Sequence, residues 1–504
     1  MSDPLIWSLI SLQILIGAFD TLYHHEMTER LAWRPTARRE LVLHGVRNLI
    51  YAVLFLAFGW SQLHGLWAWG IGLLLVGEVV LTLWDFVIED RTRRLPASER
   101  VTHALLGLNY GAILALAAPV LVNWASQPSA IVPVNLGFWS ALATIGALGV
   151  GVFGLRDLAA IRRLGRLEAV PAAALVAALP GRQRILVCGG TGLVGRRLIA
   201  GLIAAGHEVT LLTRGLTAPD ALPTPIRVVT ALDQIPDQAR FDALVNLAGE
   251  PIGNGLWTLA KRAEILRSRV RTTRALVALA KRLERRPKVL VSASAIGWYG
   301  LWDDQALDEE SDSRPCFTQR VCAARERAAV KAEALGVRVV RLRIGLVLAH
   351  EGGLLGQLLT PFDLGLGGPI GKGRQWMSWI ERDDLVRLIV FALAEERVAG
   401  ALNGTAPAPL RNRDFAAALG RALGRPAILP LPGWPLKLLL GDLARELLLG
   451  GQRVLPRKAL ANGFRFAYPT LDEALAHCLG ARARHPQEIG DLPHPPLVIP
   501  SRPD

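Results

Sequence analysis

Asp20 with His24, Glu40 with His44 and Glu99 with His103 form acid–histidine pairs four residues apart, and Asp85 with Glu89 repeats the interval with two carboxylates. On an α-helix residues four apart share a face, so each pair would aim two donors in one direction. Carboxylate and imidazole donors projecting inward from several helices are how helical bundles hold metal ions. Glu78 lies two turns before Asp85 on the same face, and His25 and Glu26 add donors beside the first pair. Two uses fit these residues: a metal or proton-linked site, or pairing with neighbouring arginines and lipid headgroups at a membrane surface.

A second chemistry-bearing set lies in "ILVCGGTGLVGRRL", residues 185–198. Gly189, Gly192 and Gly195 follow an apolar strand and open a helix, with Gly190, Thr191, Leu193 and Val194 completing the turn. Glycines allow the tight turn and let backbone amides approach a pyrophosphate at the helix N-terminus, where the macrodipole favours negative charge. At the tip of the next strand, "EVTLLTR", NAD-binding folds place a carboxylate on the ribose hydroxyls, but here stand Thr213 and Arg214. A guanidinium pairs with a 2′-phosphate, which predicts NADP rather than NAD. Two more apolar strands, in "DALVNLAGEP" (242–251) and "KVLVSASAIGWYG" (288–300), run into small residues and should end beside the same cofactor, the first through Leu247, Ala248 and Gly249.

Those residues need elements to hold them. The 504-residue chain is 51% hydrophobic, high for a water-soluble protein. Five apolar stretches, near Leu5–Leu22, Val42–Leu63, Leu66–Phe86, Ala104–Val122 and Leu136–Phe153, are each long enough to cross a ~30 Å hydrocarbon core. Arg30, Arg34, Arg38 and Arg39 lie between the first two; Arg91, Arg93, Arg94 and Arg100 lie between the third and fourth; Arg156, Arg162, Arg163 and Arg166 follow the fifth. The other connections hold neither Lys nor Arg. This alternation predicts an inner-membrane protein of bacterial type with its N-terminus outside and the glycine loop in the cytoplasm. The first stretch lacks a basic flank and a small-residue cleavage site, so a cleaved leader is not expected. The net charge of +14 is scattered arginine rather than a basic stripe, which favours a lipid bilayer over nucleic acid as partner. Cys188, Cys316, Cys322 and Cys478 show no paired spacing, which argues against a disulfide framework or a thiolate zinc site.

The predicted architecture is therefore an all-α transmembrane bundle (1–155), a basic juxtamembrane linker (156–183), an α/β Rossmann domain with a doubly wound parallel sheet (184–424), a small C-terminal substrate-side domain (425–480) and a Pro-rich tail (481–504).

From about Arg184 to Leu479 the chain resembles the extended short-chain dehydrogenase/reductase superfamily, and within it the NAD(P)-binding, sugar-nucleotide-epimerase-like family with a small C-terminal domain of unknown function. "GGTGLVGRRLI", "VNLAGEPI", "SASAIGWYG", "LRIGLVL" and "NGTAPAPLRNRDFAAALGRALGRPA" carry the resemblance. The superfamily uses a tyrosine with a lysine four residues later, and an upstream serine or threonine. Ser294 matches the serine, but "FTQRVCAARE", aligned on Glu326, puts Thr318 and Cys322 in the other two places. Threonine has no pKa near neutrality and cysteine supplies no fixed positive charge. Three readings stay open: oxidoreductase or epimerase chemistry with a substitute acid, for which Tyr299, Cys322 and Glu326 are candidates; NADP binding without turnover, as a sensor; or chemistry at a metal site in the bundle. The loop "GLGGPIGKGRQWMSWIERDD" resembles the family's substrate side. There Lys372 and Arg374 could meet a phosphate or carboxylate of a small-molecule substrate, sugar- or lipid-linked, with Trp376 and Trp379 covering an apolar or sugar face.

Overall fold

The computed structural model describes residues 3–93, 95–167, 171–215 and 222–480. The Pro-rich tail and Arg94 lie outside the described residues. The chain divides into two compact units, residues 1–168 and 169–504.

The first unit is helical: α1 (Pro4–Phe19), α2 (Arg38–Trp60), α3 (Leu66–Thr92), α4 (Ala97–Ala125) and α5 (Phe138–Leu164). All five helical segments are long and apolar enough to cross a membrane. Asp3 caps α1 by accepting the Leu5 amide, with Pro4 in the first turn where its missing N–H costs nothing. The end of α1 does not stay α-helical: Asp20–Glu29 forms a π-helix, whose wider turn brings residues five apart onto one face. Helices α2 and α5 meet backbone to backbone. A Cβ on Gly154 would sit 2.9 Å from Gly45 O, so only glycine permits the approach. A short antiparallel pair, Ser61–His64 with Ala130–Pro133, ties together the α2–α3 and α4–α5 connections. Burial is inverted relative to a bundle in water. Leu73, Leu108 and Phe138 are exposed, while Asp20, Glu40, Glu78, Asp85, Glu89 and Glu99 are buried.

The second unit is built on seven parallel strands in the order Gly400–Gly404, Arg338–Ile344, Val289–Ala295, Ala243–Asn246, Arg184–Cys188, Glu208–Leu212, Arg227–Val229. Helices cover both faces, which is why strands such as "RILVC" and "VLVSASA" are apolar on both sides. The order reverses between Arg184–Cys188 and Ala243–Asn246, opening a crevice at their carboxyl ends. Helices α6 (Leu193–Ala204), α7 (Leu259–Arg282) and α8 (Phe317–Val330) follow three of these strands.

The stretch expected as a linker is largely structured. α5 continues to Leu164, and a 3₁₀ turn, Ala172–Val176, packs on α6 with Leu175 and Val176 in the sheet's core. The C-terminal segment is joined to the sheet domain by a parallel pair, Arg453–Val454 with Ala306–Leu307, and by the buried Asp384 carboxylate, which accepts the Ala467 and Tyr468 amides at 2.9 Å each.

Candidate functional site

The glycine loop occupies the crevice at the strand-order reversal. Gly189 has φ +80°, and a Cβ there would lie 2.6 Å from the Ala248 amide nitrogen; a Cβ on Gly195 would lie 2.3 Å from Gly189 O. The loop is thus pressed against its own helix and against Leu247–Ala248, where the Leu247 amide donates to Cys188 O at 2.8 Å. Gly192 caps α6 in an extended conformation without a side-chain cap, so the first-turn amides, from Leu193, Val194 and Gly195, have no intrahelical acceptor. Gly190, whose added Cβ would strike Ile199 and Leu211, and the exposed Thr191 complete the cradle.

At the neighbouring strand tip the Thr213 amide donates to Val229 O at 3.0 Å, and Arg214 stands exposed beyond it. On the other side of the crevice Gly249 faces Arg269, whose Cζ a Cβ would approach to 3.2 Å. Glu250 accepts from Lys261 at 2.6 Å, which together with Arg214 and Arg269 holds its carboxyl below the usual range. The structure therefore brings together every residue expected to hold a dinucleotide, and the glycine cradle fits a pyrophosphate.

Below it, Ser294 Oγ donates to Glu326 Oε1 at 2.7 Å, and Arg343 holds Glu326 through Nε at 3.1 Å and Nη2 at 3.2 Å. Thr318 and Cys322 share the face of α8 turned to Gly297 at the end of this strand, so the two positions lie where the sequence alignment put them. Thr318 Oγ1 donates to Glu446, which also accepts the first amides of α8, and burial pushes the Cys322 thiol up to about 11.

Tyr299, a candidate acid, is engaged by other side chains. It is wholly buried, its hydroxyl donates to Asn403 Oδ1 at 2.7 Å and accepts from Arg343 Nη1 at 3.1 Å, and burial pushes its pKa upward. The 3₁₀ turn Ile296–Tyr299 sends this ring into the core.

Two cations that sequence reasoning passed over stand at this crevice. Arg325 is buried and donates to Asn246 O at 2.8 Å, its Nε making no hydrogen bond; burial, then the nearby Arg269, push its pKa down. Among the described residues neither Arg325 nor Arg269 pairs with a carboxylate at ion-pair distance. Two adjacent guanidiniums without a close ion-pair partner form a place for an anion. The signal was Arg325 three residues after Cys322, hence on nearly the same helical face.

On the substrate side Lys372 and Arg374 are exposed. The tryptophans do not form a free lid. Trp376 donates to Asp304 Oδ1 at 2.9 Å with the guanidiniums of Arg411 and Arg453 over its ring, and Trp379 is buried, donating to Ala408 O.

In the helical unit the acid–histidine pairs converge, with substitutions. His24 is spent on Asp20 Oδ1 (2.8 Å) and Ser98, and His25 takes the place expected of it. The π-helix explains the exchange, because Asp20 and His25 are five apart. Glu40 is paired with Arg93, and Glu78 accepts from Tyr51 and Thr82, so neither joins the donor cluster. Asp85 pairs with His44 at 2.9 Å and Arg47 at 2.8 Å. Asp20, His25, Glu99 and His103 form one group of donors, and His25, His44 and Glu89 an overlapping one.

Comparison with known proteins places the second unit. The model of the NAD dependent epimerase/dehydratase family matches residues 185–403, and that of a domain of unknown function, DUF1731, matches residues 431–478. The chain is 41% identical over 301 residues to the chloroplastic epimerase family protein SDR39U1 homolog of Arabidopsis thaliana, covering 58% of this chain and 86% of that one. It is 38% identical over 298 residues to the human epimerase family protein SDR39U1, with 58% and 98% covered. The crystal structure of the human protein (isoform 2) with NADPH superposes with a TM-score of 0.54 at 36% identity, covering 60% of this chain and all of that one. The fold and the glycine crevice define an NAD(P)-binding protein of the short-chain dehydrogenase/reductase type. The chain belongs to the NAD-dependent epimerase/dehydratase family, in its SDR39U1-like branch with the DUF1731 C-terminal domain.

Proposed function

We propose that this protein is a membrane-anchored, NADP(H)-dependent oxidoreductase of the epimerase-like type that works on a small molecule without a Tyr-x-x-x-Lys pair. The observation that carries the reading is Arg214, exposed at the tip of the second strand where a 2′-phosphate would lie. The NADPH in the human relative's structure supports the same cofactor. The nicotinamide supplies the hydride when bound. This chain's residues bind and orient it: the α6 amides take the pyrophosphate, Arg214 the 2′-phosphate, and Arg269 with Arg325 supply the fixed positive charge that Cys322 lacks. Lys372 and Arg374 would meet an anionic group of a sugar- or lipid-linked substrate.

Anchoring rests on five long apolar helices with leucines outward and carboxylates inward, and on the alternation of arginine-rich connections. Both support a reading in which the N-terminus lies outside and the dinucleotide-binding unit in the cytoplasm of a bacterial-type inner membrane, with the lipid bilayer rather than nucleic acid as the large partner.

A second reading, an NADP(H)-binding sensor without turnover, is favoured by one observation: Ser294 is tied to Glu326, and burial pushes the neighbouring Cys322 thiol up to about 11. The discriminating experiment incubates detergent-purified protein with 4-deuterated NADPH and a small-molecule extract, then searches for deuterium by mass spectrometry. Label carried into an extract component supports the oxidoreductase; tight NADPH binding with no label transferred supports the sensor.

A further inference from the structure

Asp20, His25, Glu99 and His103 come from the π-helical end of α1 and from α4, and their donor atoms all lie within 4.8 Å of one another. His25 Nε2 is 3.4 Å from Asp20 Oδ2 and 3.6 Å from Glu99 Oε1, and His103 Nε2 is 3.3 Å from Asp20 Oδ2. Donors bonded to one transition-metal ion at about 2.1 Å stand roughly 3.0–3.4 Å apart, according to whether the polyhedron is octahedral or tetrahedral. These separations are near that edge length.

Burial and charge point the same way. His25 Nε2 and both Glu89 carboxylate oxygens are buried without a hydrogen bond among the described residues. Five buried carboxylates, Asp20, Glu40, Asp85, Glu89 and Glu99, gather here against two guanidiniums, Arg47 and Arg93. A buried excess of negative charge needs cations beside it, and here these are protonated imidazoles or a bound metal ion. The surroundings orient the donors as outer partners of a metal do: His24 holds the second oxygen of Asp20, and Arg93 holds Glu99 with bonds of 2.7 and 2.8 Å. Asp20, His25, His44 and His103 also line a cavity of about 340 Å³, which gives a bound ion an open side.

We propose that the helical unit binds one divalent first-row transition-metal ion through Asp20, His25, Glu99 and His103, with His44 and Glu89 as the neighbouring donors. Mixed imidazole and carboxylate ligands without thiolate suit manganese, iron, cobalt or zinc. This site is independent of the dinucleotide crevice and stands whether or not that crevice turns over.

The test uses the full-length protein in detergent. Elemental analysis is run as isolated; a chelated sample is then titrated with Co²⁺ alone and followed by its visible absorption. About one ion per chain is expected, falling at least tenfold in His25→Ala and His103→Ala and unchanged in His64→Ala, which lies at the other end of α2. His103→Cys adds a readout independent of whether the alanine variants fold: it should bind Co²⁺ with a new thiolate-to-metal charge-transfer band. Less than about a tenth of an ion per wild-type chain, equal binding by the alanine variants and wild type, or Co²⁺ bound to His103→Cys without that band would overturn the proposal.

Discussion

Ser294 Oγ donates to Glu326 Oε1 at 2.7 Å, and the same carboxylate neutralises the buried guanidinium of Arg343. The two residues are unequal partners. Glu326→Ala leaves Arg343 buried and uncompensated, which typically costs about 3–5 kcal/mol. Ser294→Ala removes one hydrogen bond, worth about 1 kcal/mol. Thermal unfolding of the detergent-solubilised protein, followed by tryptophan fluorescence, should show a far larger shift for Glu326→Ala. Equal shifts would mean that Arg343 is neutralised by something else.

Tyr299 joins two strands through its hydroxyl, which meets Asn403 and Arg343, and its expected effect is on stability rather than proton transfer. Tyr299→Phe removes a buried hydroxyl engaged by Asn403 and Arg343, a loss of about 1–3 kcal/mol. The unfolding temperature should fall while NADPH affinity and any hydride transfer stay within about twofold of wild type. A loss of transfer above about a hundredfold at unchanged stability would restore Tyr299 as the acid.

What the sequence disclosed, and what it hid, follows from the range of the interactions. The glycine loop and Arg214 were legible because a tight strand-to-helix turn and a strand tip are local, and only certain residues satisfy them. The donor pairs in the helices were legible as a set, but their membership was not, since spacing by four assumes an α-helix and Asp20–Glu29 is a π-helix. Tyr299 stands five residues after Ser294, yet its hydroxyl meets Asn403, a partner 104 residues away that no local pattern encodes. The helices also outrun the third, fourth and fifth apolar stretches, α4 starting at Ala97 and α5 ending at Leu164. α3 runs on to Thr92 because Asp85 and Glu89 turn inward, where hydropathy counts them as a break.

Gly195 is the most constrained position in the cradle. An alanine there would put a Cβ 2.3 Å from Gly189 O and 2.7 Å from Gly190 Cα, so the loop must shift away from its helix. Gly195→Ala should weaken NADPH binding by at least about tenfold, or about 1.4 kcal/mol, as read by NADPH fluorescence titration. The Co²⁺ stoichiometry of the helical unit should not change. Unaltered NADPH affinity would show that the amides of this turn do not meet the pyrophosphate.

Cys322 provides a pH test of the same neighbourhood. With its thiol pushed up to about 11 by burial and by Glu326, only about one molecule in a thousand carries the thiolate at pH 8, and that fraction rises about tenfold per pH unit up to the pKa. Alkylation by iodoacetamide, mapped by peptide mass spectrometry, should therefore be negligible at Cys322 in the folded protein at pH 8 and rise steeply toward pH 10. Rapid labelling at pH 7 would mean an activated thiolate and would favour Cys322 as the substitute catalytic group.

Arg214 decides which dinucleotide the crevice selects. Its guanidinium is exposed at the tip of the Glu208–Leu212 strand, where a carboxylate would have bound ribose hydroxyls and repelled a 2′-phosphate. A charge-assisted contact of this kind is worth about 1.5–3 kcal/mol, so Arg214→Ala should raise the Kd for NADPH roughly ten- to a hundredfold and that for NADH by less than about twofold. Because the contact is exposed, added salt should weaken NADPH binding to the wild type more than to the variant. If both cofactors lose affinity equally, the arginine acts by holding the loop rather than by reading the phosphate. If neither does, the selection lies with Lys261 or Arg269 on the far side of the crevice.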